Sequence, residues 1–277
     1  MNKKLTIITL TYNQLEIATK PYINSLYQNT NKDLFDLIII DNASCDGTVE
    51  YLKQLEQEKD NITIIYNSEN LGYSKGNNQG LKLVNTEYTA LLNNDILLSP
   101  GWEEPLLKKL NEPLTGMVSS NAIQSRFVKQ NKFLSCAKEY AEKAKEKYYE
   151  TVKCDFSCVM FKTSLINSIG YLDENYSPAY FEDDDFCVRT ILAGFKNYIS
   201  SQSNIYHKTS TSGKKMPELE QICKRNEKYF FDKFKNNQFI KYWYIANSEN
   251  MFLKPRFERL KKYKSSSLRY YFEKIFN

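Results

Sequence analysis

Residues 86–95 read Thr-Glu-Tyr-Thr-Ala-Leu-Leu-Asn-Asn-Asp, and this stretch decides the fold. Thr86 to Leu92 is β-rich and mostly apolar, the character of a strand covered on both faces. The apolar run then stops in Asn93-Asn94-Asp95, three short polar side chains. Ile96 to Trp102 leads into a new helix, with Ser99 as its N-cap and Pro100 at its first helical position. In an open α/β sheet, ligands gather beyond the carboxyl ends of the strands. Asp95 is therefore a candidate ligand-binding carboxylate, read as a metal ligand. An Asp at such a place also caps turns, and the stretch by itself leaves both readings open.

Working back towards the N-terminus, the same punctuation repeats. Leu5 to Thr11 is β-branched and apolar, a strand by composition. Tyr12-Asn13 ends it, and Leu15 to Gln28 reads as a helix. A second strand, Phe35 to Ile40, runs into Asp41-Asn42-Ala43-Ser44-Cys45-Asp46-Gly47-Thr48. A helix to about Glu58 follows, with Asp46 as its natural N-cap. A third strand, Ile62 to Tyr66, leads through Asn67 to Asn70 into Gly72-Tyr73-Ser74-Lys75-Gly76-Asn77-Asn78-Gln79-Gly80, which opens another helix. Strand, loop and helix at this spacing imply right-handed crossovers and a mainly parallel sheet. Gly72 and Gly76 permit close backbone approach, and a helix start can receive phosphate oxygens. The pattern is neither Gly-x-Gly-x-x-Gly nor a P-loop, so a dinucleotide fold and a nucleoside triphosphatase are unsupported.

The totals are those of a soluble globular chain: 277 residues, 42% hydrophobic and 26% charged. The net charge of +5 is unevenly placed. Residues 254–277 hold eight basic and two acidic residues, a net of +6, so the remainder carries −1. A basic tail on a near-neutral body argues against a nucleic-acid partner. The six cysteines show no Cys-x-x-Cys pairing, which favours reduced, mostly buried thiols over a zinc site. No signal peptide precedes the first strand, and no apolar run approaches the roughly 20 residues that span a bilayer. A cytoplasmic location is expected.

Four loops carry a family resemblance: Thr9-Leu10-Thr11-Tyr12-Asn13, Asp41 to Thr48, Asn70 to Gly80, and Leu92-Asn93-Asn94-Asp95. In this order and spacing they resemble the N-terminal half of family 2 glycosyltransferases with the GT-A fold. The resemblance implies a nucleotide-sugar site. Thr11, Asn13 and Asp41 would lie near the base and ribose, and Gly72 to Asn77, with Gly76 between, along the nucleotide. Ser44, Asn94 and Glu182 would be further substrate-binding residues, and Asp95 the metal ligand. The family's Asp-x-Asp stands here as Asn93-Asn94-Asp95, a departure known in the rhamnosyltransferase-like branch. One carboxylate in place of two implies weaker metal binding.

The second half holds the other chemical centre. Val118 to Lys153 is less legible, though Ser135 to Tyr149 has the Lys and Glu spacing of a solvated helix, where the resemblance would put an acceptor-side insertion. Cys154 to Phe161 reads as a strand. Glu182-Asp183-Asp184-Asp185 then opens a helix that runs to Ala193, with Gly194 as its C-cap. One or two acids would complement the helix dipole. Four in a row repel one another, and such crowding raises at least one pKa, which suits a group that must take up a proton. The run resembles the family's Glu-Asp-x-Asp-Leu-x-x-Arg. By position Asp183 would be the general base, while Asp185 and Arg189 would hold the helix in place. His207 is the sole histidine and matches the family's late His, a second metal ligand beside Asp95 or a diphosphate contact. A lone His is also commonly structural.

From Met216 onward the pattern is helical, and Leu260 to Phe276 mixes aromatics with Lys and Arg. That suits a helix on an anionic membrane surface, the favoured reading, and it would also suit a tail packed on another subunit. The sequence thus implies a GT-A-type Rossmann-like domain over about 1–211, with a nucleotide-sugar half to about 117 and an acceptor half beyond it. A helical C-terminal extension, 212–277, completes the chain. The expected activity is inverting transfer, with Mg²⁺ or Mn²⁺, from a UDP- or dTDP-linked sugar to a glycan or lipid-linked acceptor, with peripheral membrane contact through 254–277 as one reading of the tail. Two alternatives stand beside it. A sugar nucleotidyltransferase would want a Gly-rich, basic first loop, which Thr11 to Gln14 lacks. A binding subunit without chemistry is made thinkable by the incomplete Asp-x-Asp.

Overall fold

A computed structural model describes residues 3–125, 127–208 and 218–237. Four parallel strands form its first half: β1 (Leu5–Thr11), β2 (Phe35–Asp41), β3 (Ile62–Tyr66) and β4 (Tyr88–Asn93), in the order β3-β2-β1-β4. The crossovers are α1 (Lys20–Asn29), α2 (Thr48–Glu58) and α3 (Gly72–Leu81). Beyond β4 the sheet continues as β8 (Cys158–Lys162), β6 (Thr115–Gln124), β9 (Lys196–His207) and β5 (Ile96–Leu98), with β7 (Tyr148–Thr151) paired to β9. There the pairing is mixed: β4 with β8, β8 with β6, β9 with β5 and β9 with β7 are antiparallel, and β6 with β9 is parallel. The parallel arrangement read from the sequence therefore holds for the first four strands. The later ones are joined by loops and by helices that do not act as crossovers, so their direction was not written in a repeat.

The two faces of the sheet follow from alternation along β1. Leu5 and Ile7 point into a core with Tyr22, Leu26, Phe35 and Trp102, while Ile8 points the other way, towards Leu81, Phe161 and Phe186. Both sides are covered, which is why these strands are apolar nearly throughout.

Several local boundaries differ from the sequence reading. The first helix opens as a π-turn, Leu15–Thr19, before α1 begins. Ile96 to Leu98 is a strand, because it pairs antiparallel with Ile205 to His207. In consequence Ser99 and Pro100 lie in a turn, and α4 (Glu103–Leu110) starts three residues later than Pro100. Asp46 does not cap α2 from the N-cap position, which Gly47 occupies. Its carboxylate instead accepts from Thr48 N and from Leu15 N, tying two loops together. The helix placed at Ser135 to Tyr149 is α5 (Phe133–Ala144), and Tyr148 onward forms β7.

Helices α6 (Leu165–Ile169), α7 (Glu182–Leu192) and α8 (Leu219–Phe234) complete the described structure. Gly194, at φ 90°, follows the end of α7 in the left-handed conformation that a helix C-terminus favours. Phe230 and Phe234 of α8 pack with Val152, Tyr176, Val188 and Ile191. The first helix of the expected extension is thus part of the main body's packing. The boundary at 211 and the tail at 254–277 lie outside the described residues. Among the described residues no helix is long and apolar enough to cross a membrane. All six cysteines are free: Cys154, Cys158 and Cys187 are buried, Cys136 and Cys223 half-buried, and Cys45 exposed.

Candidate active site

β4 ends at Asn93, and Asp95 follows at the carboxyl edge of the sheet. The β5–β9 pairing sets Ile96 opposite His207, and Lys208 N donates to Asp95 O at 3.1 Å. Residues far apart in sequence are thereby held side by side. His207 Nε2 lies 3.4 Å from Asp95 Oδ1. Burial works to lower the His207 pKa, but the hydrogen bond and charge of Asp95, with Asp155 adding, outweigh it and hold it above the ordinary value. The field there favours positive charge.

This donor set fits a divalent ion. One carboxylate oxygen and one imidazole nitrogen, 3.4 Å apart, would suit Mn²⁺ or Mg²⁺ when substrate phosphates supply further oxygens. Among the described residues no group of three or more His, Cys, Asp or Glu side chains gathers for a metal. Two protein donors fit a metal shared with a substrate rather than a self-sufficient site.

The second group of carboxylates opens α7. Asp185 is fully buried and takes Arg189 Nε at 2.6 Å and Lys233 Nζ of α8 at 2.5 Å. Arg189 also donates to the carbonyls of Ile169 and Tyr171. These two residues anchor the helix, as the resemblance implied. Asp183 is partly exposed, its side chain 22% accessible, so it is open to an incoming group. Glu182 and Asp184 are buried. Burial first, then the neighbouring Asp183, push the Glu182 pKa well up and that of Asp184 up to about 7. Burial is the main cause there, and the charge crowding read from the sequence comes second.

Sequence reasoning missed the cation that makes the cluster tolerable. Lys153 Nζ reaches Asp184 Oδ1 at 2.6 Å and Asp183 Oδ2 at 3.4 Å. Burial disfavours its charge, and Asp183 and Asp184 more than restore it. Nothing in the sequence links Lys153 to a run some thirty residues later. Tyr73 was missed too. Its phenol pKa is pushed well above normal by burial first and then by Glu182, Asp183, Asp155 and Asp95, so all four carboxylates lie near Tyr73.

The remaining positions divide between those facing the cleft and those engaged in structure. Asp41 is buried, and its Oδ2 accepts from Ser44 N at 3.0 Å while Oδ1 is unpartnered. Ser44 Oγ accepts from Asn13 N at 2.7 Å, and Asn13 Oδ1 from Cys45 N at 2.8 Å, which locks the first two loops together. Thr11 and Asn94 are tied to one another and to Thr19, at 2.9–3.2 Å. Asn77 bonds back to Tyr73 O within α3. Gly76 faces Leu10 and Asn42, so its missing side chain serves helix-on-strand packing. Gly72 has φ 78°, and a Cβ there would lie 2.6 Å from the carbonyl oxygen of Pro178. The loops are further stitched by Asn42, Asn67, Asn70 and Gln79, an amide network whose members a sequence reading does not single out.

The family model described as Glycosyl transferase family 2 matches residues 6–170. An uncharacterized protein of Sinorhizobium fredii is 23% identical over 265 residues, which cover 88% of this chain and 29% of that one. The GalNAc(5)-diNAcBac-PP-undecaprenol beta-1,3-glucosyltransferase of Campylobacter jejuni is 28% identical over 182 residues, 62% of this chain and 56% of that enzyme. The chain therefore spans less than two thirds of the length of these two relatives. Among solved structures, GalNAc-T7 with UDP, GalNAc and Mn²⁺ superposes with a TM-score of 0.71 at 12% identity, over 98% of this chain and 57% of that one. That likeness is one of fold.

Proposed function

The chain belongs to glycosyl transferase family 2, and from that premise we propose that it transfers a sugar, with inversion, from a nucleoside diphosphate sugar to a hydroxyl of a glycan or lipid-linked acceptor. The carrying observation is that Asp95, which lies beside His207 at the sheet edge, and partly exposed Asp183 both lie near the Tyr73 phenol.

Asp183 takes the proton of the acceptor hydroxyl as that oxygen attacks the anomeric carbon, on the face away from the diphosphate. Lys153 keeps the Asp183 carboxylate in place and balances the neighbouring acids. Glu182 is buried, and burial first, then Asp183, pushes its pKa well up. Asp41, with its free buried oxygen, serves the nucleoside side together with Thr11, Asn13 and Ser44. Asp95 and His207 would hold Mn²⁺ or Mg²⁺, which when bound offsets charge on the leaving diphosphate. A UDP- or dTDP-linked donor is the favoured class. It is supported by the UDP and Mn²⁺ that accompany GalNAc-T7 in its solved structure, and a lipid-linked acceptor by the undecaprenol-linked glycan for which the C. jejuni relative is named.

The test is release of nucleoside diphosphate from a panel of UDP- and dTDP-sugars with Mn²⁺, by the natural chain and by Asp183→Asn. The variant should bind donor as before and lose about two to four decades of rate. Equal turnover, or a product that keeps the donor's anomeric configuration, would sink the assignment.

A further inference from the structure

The segment before α7 carries backbone strain and has an outside support. Tyr180 and Phe181 lie consecutively in the left-handed region, at φ 79° and 75°, and Glu182 and Asp183 follow directly. Neither residue is a glycine, and left-handed backbone at bulky residues persists only when the surroundings fix it. The fixing group is Asn226 on α8. It is 1% exposed, and its Nδ2 donates to both Ala179 O and Tyr180 O at 2.9 Å. Its Oδ1 accepts from the Arg225 guanidinium at 3.1 Å, and that guanidinium also donates to Ser177 O. Around this centre Phe230 packs on Phe181, and Lys233 joins Asp185 to Asp173.

The same segment touches the donor side. Pro178 O accepts from Tyr73 N at 2.7 Å and occupies the space beside Gly72. One short stretch, 177–181, thus links α8, the start of α3 and the first residues of α7.

We propose that Asn226 is a positioning residue: its two amide hydrogen bonds hold the left-handed turn at Tyr180 and Phe181 that aims Asp183 into the cleft. The kinetic part rests on the transfer activity proposed above; the structural part does not. α8 is then part of the machinery.

The test uses the full chain and two readouts. Asn226→Ala should lower kcat for nucleoside diphosphate release at least tenfold, on whichever UDP- or dTDP-sugar the natural chain accepts, while the donor KM stays within about twofold. Its backbone amides at 181–185, including Asp185 N bonded to Phe181 O, should exchange hydrogen faster, with β1 to β4 unchanged. Asn226→Asp has the same volume but faces two carbonyls with an acceptor, and should be as damaging or worse. Lys224→Ala, which removes only an exposed pair with Glu220 on the same helix, should match the natural chain. If Asn226→Ala does not fold, the surface change Arg225→Ala, which frees Ser177 O, carries the same expectation at smaller size. Folded variants with kcat within twofold of the natural chain, or unaltered exchange at 181–185, would overturn the proposal. If the natural chain releases no nucleoside diphosphate at all, the function fails, and the exchange readout alone decides the role of Asn226.

Discussion

At the scale of single residues, Lys153 balances part of the acid cluster at the head of α7, pairing with Asp183 and Asp184. Burial, with the neighbouring Asp183, pushes the Glu182 pKa well up. The sign of the pH effect follows. A carboxyl whose folded pKa is raised above 4.5 contributes stability below that pH, and the contribution is lost as pH rises through the folded value. Glu182→Gln carries no such loss. Its melting temperature relative to the natural chain should be near zero difference at pH 4 and climb towards pH 8, by about 2–4 °C per kcal/mol gained. A difference that stays flat with pH would show that Glu182 is ionised in the fold. In the proposed metal pair, His207→Ala leaves Asp95 as the one protein donor. The Mn²⁺ concentration that half-saturates activity should rise by about tenfold or more, and an unchanged Mn²⁺ titration would remove His207 from the metal site. The acids and the histidine were legible in the sequence because their side chains announce chemistry. Lys153 and Tyr73 were not, since a lysine in a loop and a tyrosine in a helix are ordinary until something is placed beside them.

At the scale of elements, each glycine-bearing loop has two readings, and packing separates them. Gly76 was expected along the nucleotide, yet α3 lies so close to β1 that an added methyl would meet Leu10. Gly76→Ala should therefore destabilise by about 1–3 kcal/mol, the usual result of overpacking. Donor affinity of the folded fraction should hardly move. Thermal melting and donor titration of the same preparation distinguish the two, and a lost affinity at unchanged stability would return Gly76 to the ligand. The helices that cross between parallel strands were read with their type correct, because a period near 3.6 against a period of 2 is a local property. Boundaries shifted where a tertiary partner intervened: Ile96 to Leu98 became a strand only because β9 lies alongside.

For the whole molecule, the proposed site draws on both halves of the chain, with Asp95 and Tyr73 from the first and Asp183, Lys153 and His207 from the second. A ligand that bridges the halves should stabilise the entire fold. UDP with Mn²⁺, at a hundred times its Kd, should add about 2.7 kcal/mol, a rise of several degrees in melting temperature, and either component alone should give much less. Equal shifts with UDP in the presence and absence of Mn²⁺ would separate the nucleotide site from the Asp95 and His207 pair. By itself the sequence determined the α/β class, the run of strands and crossovers to Asp95, and the residues able to do chemistry, because apolar periodicity and short polar loops are local features. Only the tertiary structure decided the mixed pairing of the second half, the pairing of Lys153 with the acid cluster and the buttress from α8. Those depend on strand register and on helix docking, which bring together side chains far apart in the chain, and no local pattern encodes such a meeting.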